Sequence, residues 1–143
     1  MAVVELAIPA RPAYLSLVRL VVDASVSALA PGLGGARLDD LKLAVTEACS
    51  NAIEAHQTAD SDASVVIRCQ MDDATVTVEV ADQGGGFDPG GLADLPSATD
   101  PGRLSYESGL GIPLMRTLAD NLSFVPKPDG TTVRLTVYRA GPG

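Results

Sequence analysis

The chain has 143 residues, 46% of them apolar and 20% charged, with a formal charge of −8 from 10 Lys and Arg against 18 Asp and Glu. That length suits one domain, residues 1–143, burying roughly 70% of its unfolded surface, and the composition excludes wholesale disorder. The acidic balance lacks the basic footprint that phosphate backbones require, so no nucleic-acid partner is expected.

Residues 3–8 alternate, with Val4, Leu6 and Ile8 on one face, as in a strand. Pro12 suits a helix start, and Leu15, Val18, Val22, Val26 and Leu29 then recur at helical spacing. The apolar run from Leu15 to Val22 is broken by Ser16 and Arg19. It falls short of the roughly 18 uninterrupted apolar residues of a membrane span. The N-terminus lacks the basic segment of a secretory signal, so a cytoplasmic protein without membrane association is expected.

Pro31–Gly35 reads as a loop. Asp39 or Asp40 is a candidate cap for a second helix, with Leu41, Ala44, Val45, Ala48, Ala52 and Ile53 on its buried side and an end near Gln57. Strands near 64–71 and 74–81 form a hairpin across Asp72-Asp73, a pair better suited to a turn than to a metal. Residues 87–108 have no period, and an irregular stretch of that length in a compact domain suits a lid or binding loop. A helix of about 110–120 tolerates Pro113 in its first turn, and strands near 122–126 and 131–138 flank the turn at Pro126–Gly130. Helices and strands do not alternate strictly, so the expected class is α+β. The architecture expected is a two-layer sandwich, a mixed sheet covered on one face by about three helices. Cys49 and Cys69 have neither CxxC spacing nor clustered His, and read as buried reduced thiols.

Three segments carry chemistry. Glu47 and Asn51 are i, i+4 on the second helix, so both emerge on one face with Cβ atoms about 6 Å apart. A carboxylate beside an amide oxygen suits Mg²⁺, although the same spacing also suits a solvated stripe. Asp82-Gln83-Gly84-Gly85-Gly86 ends a strand, either as a plain turn or as an acceptor for a base amino group beside glycines that admit a ring or phosphate. Ser108-Gly109-Leu110-Gly111 enters a helix, either as a simple entry turn or as a phosphate site made of backbone N–H groups and the helix dipole. No GxxxxGK[ST] occurs. His56, the sole histidine, reads as a helix-end residue, and Met115 and Leu118 as core.

Taken together, in this order, the segments resemble the ATP-binding domain shared by gyrase, heat-shock chaperones, histidine kinases and mismatch-repair proteins (the Bergerat fold). Within it the chain is most similar to the bacterial anti-sigma factor serine kinases, the RsbW-like group, over roughly residues 3–138. Glu47–Ile53 matches the N-box, Asp82-x-Gly84-x-Gly86 the first glycine box, Gly109-x-Gly111 with Met115 the second, and Gly130–Val133 the closing strand.

The resemblance implies that Asn51 coordinates Mg²⁺ and that Glu47 is the general base for a substrate serine. It implies that Asp82 binds the adenine amino group, helped by Thr131 through water. Gly84, Gly86, Ser108, Gly109, Leu110 and Gly111 are implied to shape the pocket and its phosphate end, with Ala55 and Ile112 lining it and residues 87–108 as the ATP lid. A sigma factor, an anti-anti-sigma (STAS-type) protein and a second copy of the chain are the implied partners. Many members carry Arg just before the second glycine box, where this chain has Glu107. That departure motivates an alternative, an ATP-binding anti-sigma module without transferase activity. A detached histidine-kinase ATPase domain fits less well, because no dimerisation helix with a phosphoacceptor His is evident.

Overall fold

A computed structural model describes residues 2–58, 62–82, 111–127 and 130–139. Five strands, β1 (Ala2–Ile8), β2 (Val65–Met71), β3 (Thr75–Ala81), β4 (Asn121–Lys127) and β5 (Gly130–Tyr138), form one sheet in the order β1-β2-β3-β5-β4. Helices α1 (Leu15–Leu29), α2 (Gly35–Thr58) and α3 (Gly111–Leu118) accompany it, preceded by a 3-10 turn at Pro12–Tyr14. The α+β class and the sequence of elements agree with expectation.

Among the described residues the sheet is antiparallel throughout, not mixed. Two helices between β1 and β2 impose three chain reversals, an odd number, so β2 returns antiparallel to β1. Position in the sheet follows local chemistry. Pro126 lies inside β4 and lacks a backbone N–H, which an edge strand tolerates. β5, free of proline and with Val133, Leu135 and Val137 alternating onto the buried face, takes the inner place between β3 and β4.

α2 begins at Gly35, a turn earlier than a cap at Asp39 or Asp40 would allow. The Leu38 N–H donates to the Gly34 carbonyl at 3.0 Å. Ala36, Arg37 and Leu38 are good helix formers, and Leu38 packs on the core, so the chain has no reason to wait for an aspartate. Asp39 bonds instead within the helix to Lys42, which also reaches Asp23 of α1 at 2.7 Å.

The core lies between helices and sheet. Leu41, Ala44, Val45, Ala48, Ala52 and Ile53 of α2 are all buried, as their spacing predicts, against Val18, Val22 and Val26 of α1. From the sheet come Ile67, Cys69, Val76, Val78, Val80, Val133, Leu135 and Val137. Met115 is fully buried and Leu118 packs beside it. Leu29 is 40% exposed, contrary to its place in the periodic pattern, because α1 ends there and the chain turns away at Ala30.

The far side of the sheet is wet. Glu5, Arg68, Glu79 and Arg134 occupy one register row with alternating charge, and Arg134 donates to Glu79 Oε2 from Nε at 3.0 Å and Nη2 at 2.8 Å. Such exposed pairs add little energy each, but they explain how one face stays solvated while the other carries helices. Asp72 closes the β2–β3 turn by accepting from the N–H groups of Ala74 and Thr75, so this aspartate serves the turn as expected. Pro12–Leu29 has the length and mean hydropathy (1.3) of a membrane-crossing helix. Its Val18, Val22 and Val26 side faces the core and its Leu17 and Leu20 side is exposed.

Candidate functional site

The helix-facing side of the sheet is apolar until its end, where it changes character. Asp82 follows β3 at the position that continues Val76, Val78 and Val80, so its side chain points toward the helices. Thr131 shares that face with Val133, Leu135 and Val137, and the Asp82 N–H donates to the Thr131 carbonyl at 2.9 Å. Strand register, which pairs Ala81 with Thr132, thus makes Asp82 and Thr131 neighbours across β3 and β5. Both are buried.

α2 crosses above them, packing on β3, β5 and α3. Its polar residues sort by position. Glu47 is half-buried, and Asn51, one turn on, is 2% exposed. Ala55, a further turn on, is half-buried, and Ile112 of α3 packs at the edge of the core. His56 lies roughly 7.5 Å beyond Asn51 along the axis. Its Nε2 is 3.2 Å from Asp82 Oδ1, with both side chains essentially out of water. The structure therefore buries Asn51, His56, Asp82 and Thr131 and joins Asp82 to both Thr131 and His56, while Glu47 lies half-buried one turn before Asn51 on α2. Gly84, Gly86, Ser108, Gly109, Leu110, Glu107 and the expected lid lie outside the described residues. Gly111 opens α3, within the helix expected near 110–120.

A model of the family described as "Histidine kinase-like ATPase domain" matches residues 8–137. This chain belongs to that family. Within it the chain falls in the RsbW-like group. It is 34% identical to the serine-protein kinase RsbW of Bacillus subtilis (strain 168) over 142 residues, covering 96% of this chain and 86% of the relative. The RsbW of Bacillus velezensis is 35% identical with the same coverage. The RsbW of Bacillus pumilus is 35% identical over 141 residues, covering 94% and 85%.

A histidine kinase-like ATPase domain uses ATP, and the donors present suit the hard cation that accompanies it. The Asn51 Oδ1 atom is buried and has no hydrogen-bond partner among the described residues. An amide oxygen held in that way costs stability unless something is meant to meet it. Among the described residues no three His, Cys, Asp or Glu side chains converge as a metal cage. A single protein oxygen completed by phosphate oxygens and water is how Mg²⁺ is commonly held. The cysteines take no part. Both are free and buried, and burial pushes the Cys49 thiol up to about 12, helped by nearby Cys69, and Cys69 up to about 11.

His56 plays a larger part than its sequence context suggests. It does sit in the last turn of α2, but fully buried and against Asp82 rather than as a solvated helix end. The signal for this lies in its spacing. His56 is four residues past Ala52 and seven past Cys49, on the apolar stripe, where a polar side chain needs a buried partner.

Proposed function

We propose that this chain is an anti-sigma factor that holds a sigma factor and phosphorylates a serine of an anti-anti-sigma (STAS-type) protein. It is a serine kinase that uses ATP, in keeping with its family and with the named activity of its relatives. The observation that supports the reading is that Asn51, Asp82 and Thr131, which follow one another in motif order, are polar residues buried in the interior, with Glu47 half-buried one turn before Asn51.

In this reading Asp82 accepts a hydrogen bond from the adenine 6-amino group, with Thr131 beside it. Gly84, Gly86, Gly109 and Gly111 admit the nucleotide close to backbone N–H groups, which answers how an acidic protein holds a polyphosphate. Asn51 Oδ1 would hold Mg²⁺, which when bound neutralises phosphate charge. Glu47 takes the proton from the substrate serine as its oxygen bonds to the γ-phosphorus. The bond from that phosphorus to the bridging oxygen breaks, and ADP leaves. A serine hydroxyl is a poor nucleophile, and a carboxylate within hydrogen-bond reach is the group that remedies this. A homodimer and a cytoplasmic location belong to the same proposal. Exposed Leu17 and Leu20 on α1 are suited to a protein partner.

Glu107 favours a second reading, an anti-sigma module that binds ATP without transferring phosphate. Calorimetry of ATP with and without Mg²⁺, on wild type and Asp82→Asn, tests the site, and phosphorylation of a cognate partner separates the readings. Mg-dependent binding lost in the variant supports the pocket. Tight binding with no transfer to any partner selects the second reading, and no binding to wild type removes both.

A further inference from the structure

We propose that His56 is a positioning residue that gives the site its preference for adenine, by holding the Asp82 carboxylate in the orientation the base requires. The inference rests on the ATP-site reading above.

Burial sets the terms. His56 is 0% exposed and Asp82 4%, and Nε2 lies 3.2 Å from Oδ1. A carboxylate that is out of water is costly unless donors meet it, and an ionised carboxylate can only accept. For an ionised Asp82 the short contact requires Nε2 to carry the proton and the imidazole to donate to Oδ1. The Asp82 backbone is tied as well, through its N–H to the Thr131 carbonyl at 2.9 Å. With the backbone held by β5 and Oδ1 held by α2, the remaining carboxylate oxygen is presented in one direction only. A base is recognised by such a preset acceptor, because the ordering cost is met before the ligand arrives.

The role is distinct from packing. An apolar side chain of similar size at position 56 would fill the same space on the α2 stripe, as Ala52 and Ile53 do. It would not orient Asp82. Losing one hydrogen bond to a charged group, at the ligand's recognition point, corresponds to roughly a tenfold change in affinity. The change should fall on nucleotides with a 6-amino group and spare those without one.

The test compares ATP with inosine triphosphate, which carries a 6-oxo group in place of the 6-amino donor, by calorimetry with Mg²⁺. In wild type ATP is expected to bind more tightly. His56→Leu should weaken ATP roughly tenfold while leaving inosine triphosphate nearly unchanged. His56→Gln, which keeps an N–H near the Nε2 position, should restore the preference. In an Asp82→Asn background, His56→Leu should change the ratio no further. Should His56→Leu not fold, the ratio is read on His56→Gln and on His56→Asn, whose shorter amide does not reach. An unchanged ratio in every folded His56 variant, or equal loss for both nucleotides, overturns the proposal. A wild type that does not prefer ATP instead overturns the assignment of Asp82, a separate failure.

Discussion

Along α2, residues Leu41–Cys49 and residues Asn51–His56 lie under the same layer and are buried alike, yet they bury different chemistry. In the first stretch the buried residues are Leu41, Ala44, Val45, Ala48 and Cys49, all apolar in behaviour. In the second, Asn51 and His56 interleave with Ala52 and Ile53. Apolar residues would hold the second stretch to the sheet as well as the first, and without the desolvation cost of an amide oxygen or a histidine–carboxylate pair. Buried polar groups that packing does not need ask for another reason to be there, and the proposed ATP site supplies one for the second stretch.

Substitutions on either side sharpen this contrast. The largest effect is expected at half-buried Glu47, which lies within the first stretch one turn before Asn51, where Glu47→Ala should lower the rate of serine phosphorylation by roughly two to four orders of magnitude while ATP binding persists. Unchanged phosphorylation by that variant would discard Glu47 as the base. Leu41→Ala, in the apolar stretch, should cost about 2–5 kcal/mol of stability in denaturant titration. The folded fraction should keep its nucleotide affinity, and a selective loss of ATP binding there would erase the distinction between the stretches. Asn51→Ala should reverse that pattern. The fold should be no less stable, since a buried oxygen without a described partner is removed, and Mg²⁺ should no longer enhance ATP binding. An undiminished response to Mg²⁺ would remove Asn51 as the ligand.

The smallest effect belongs to the cysteines, on the apolar side of the comparison. Their thiols ordinarily titrate near 9.0, and burial raises Cys49 to about 12 and Cys69 to about 11. As pH rises past 9 the unfolded chain loses these protons before the folded one does. Their contribution to stability is thus complete below 9 and declines as pH climbs toward 11 and 12. Native protein should resist thiol alkylation at about pH 8 and react on unfolding, and rapid labelling of the native state there would contradict the burial.

Much of this contrast is legible in the sequence. The stripe Leu41, Ala44, Val45, Ala48, Ala52 and Ile53 follows from helical period, and Glu47 with Asn51 from the motif they share with Asp82 and the glycines. The start of α2 is less legible, because Asp39 and Asp40 look like caps while the packing of Leu38 extends the helix back to Gly35. The role of His56 is hidden because its partner is distant in sequence, and local pattern says only that a histidine lies on an apolar stripe.

By itself, then, the sequence determined the elements, most of the faces they bury and the order of the segments proposed to form the ATP site, since each depends on side chains a few residues apart. Tertiary structure alone decided that β5 enters between β3 and β4, that every described strand pair is antiparallel, and that Asp82 meets Thr131 on one side and His56 on the other. Those outcomes rest on register between segments far apart in the chain. They form only when the sheet and the helix layer are packed together, because that packing removes water and leaves buried polar groups to one another.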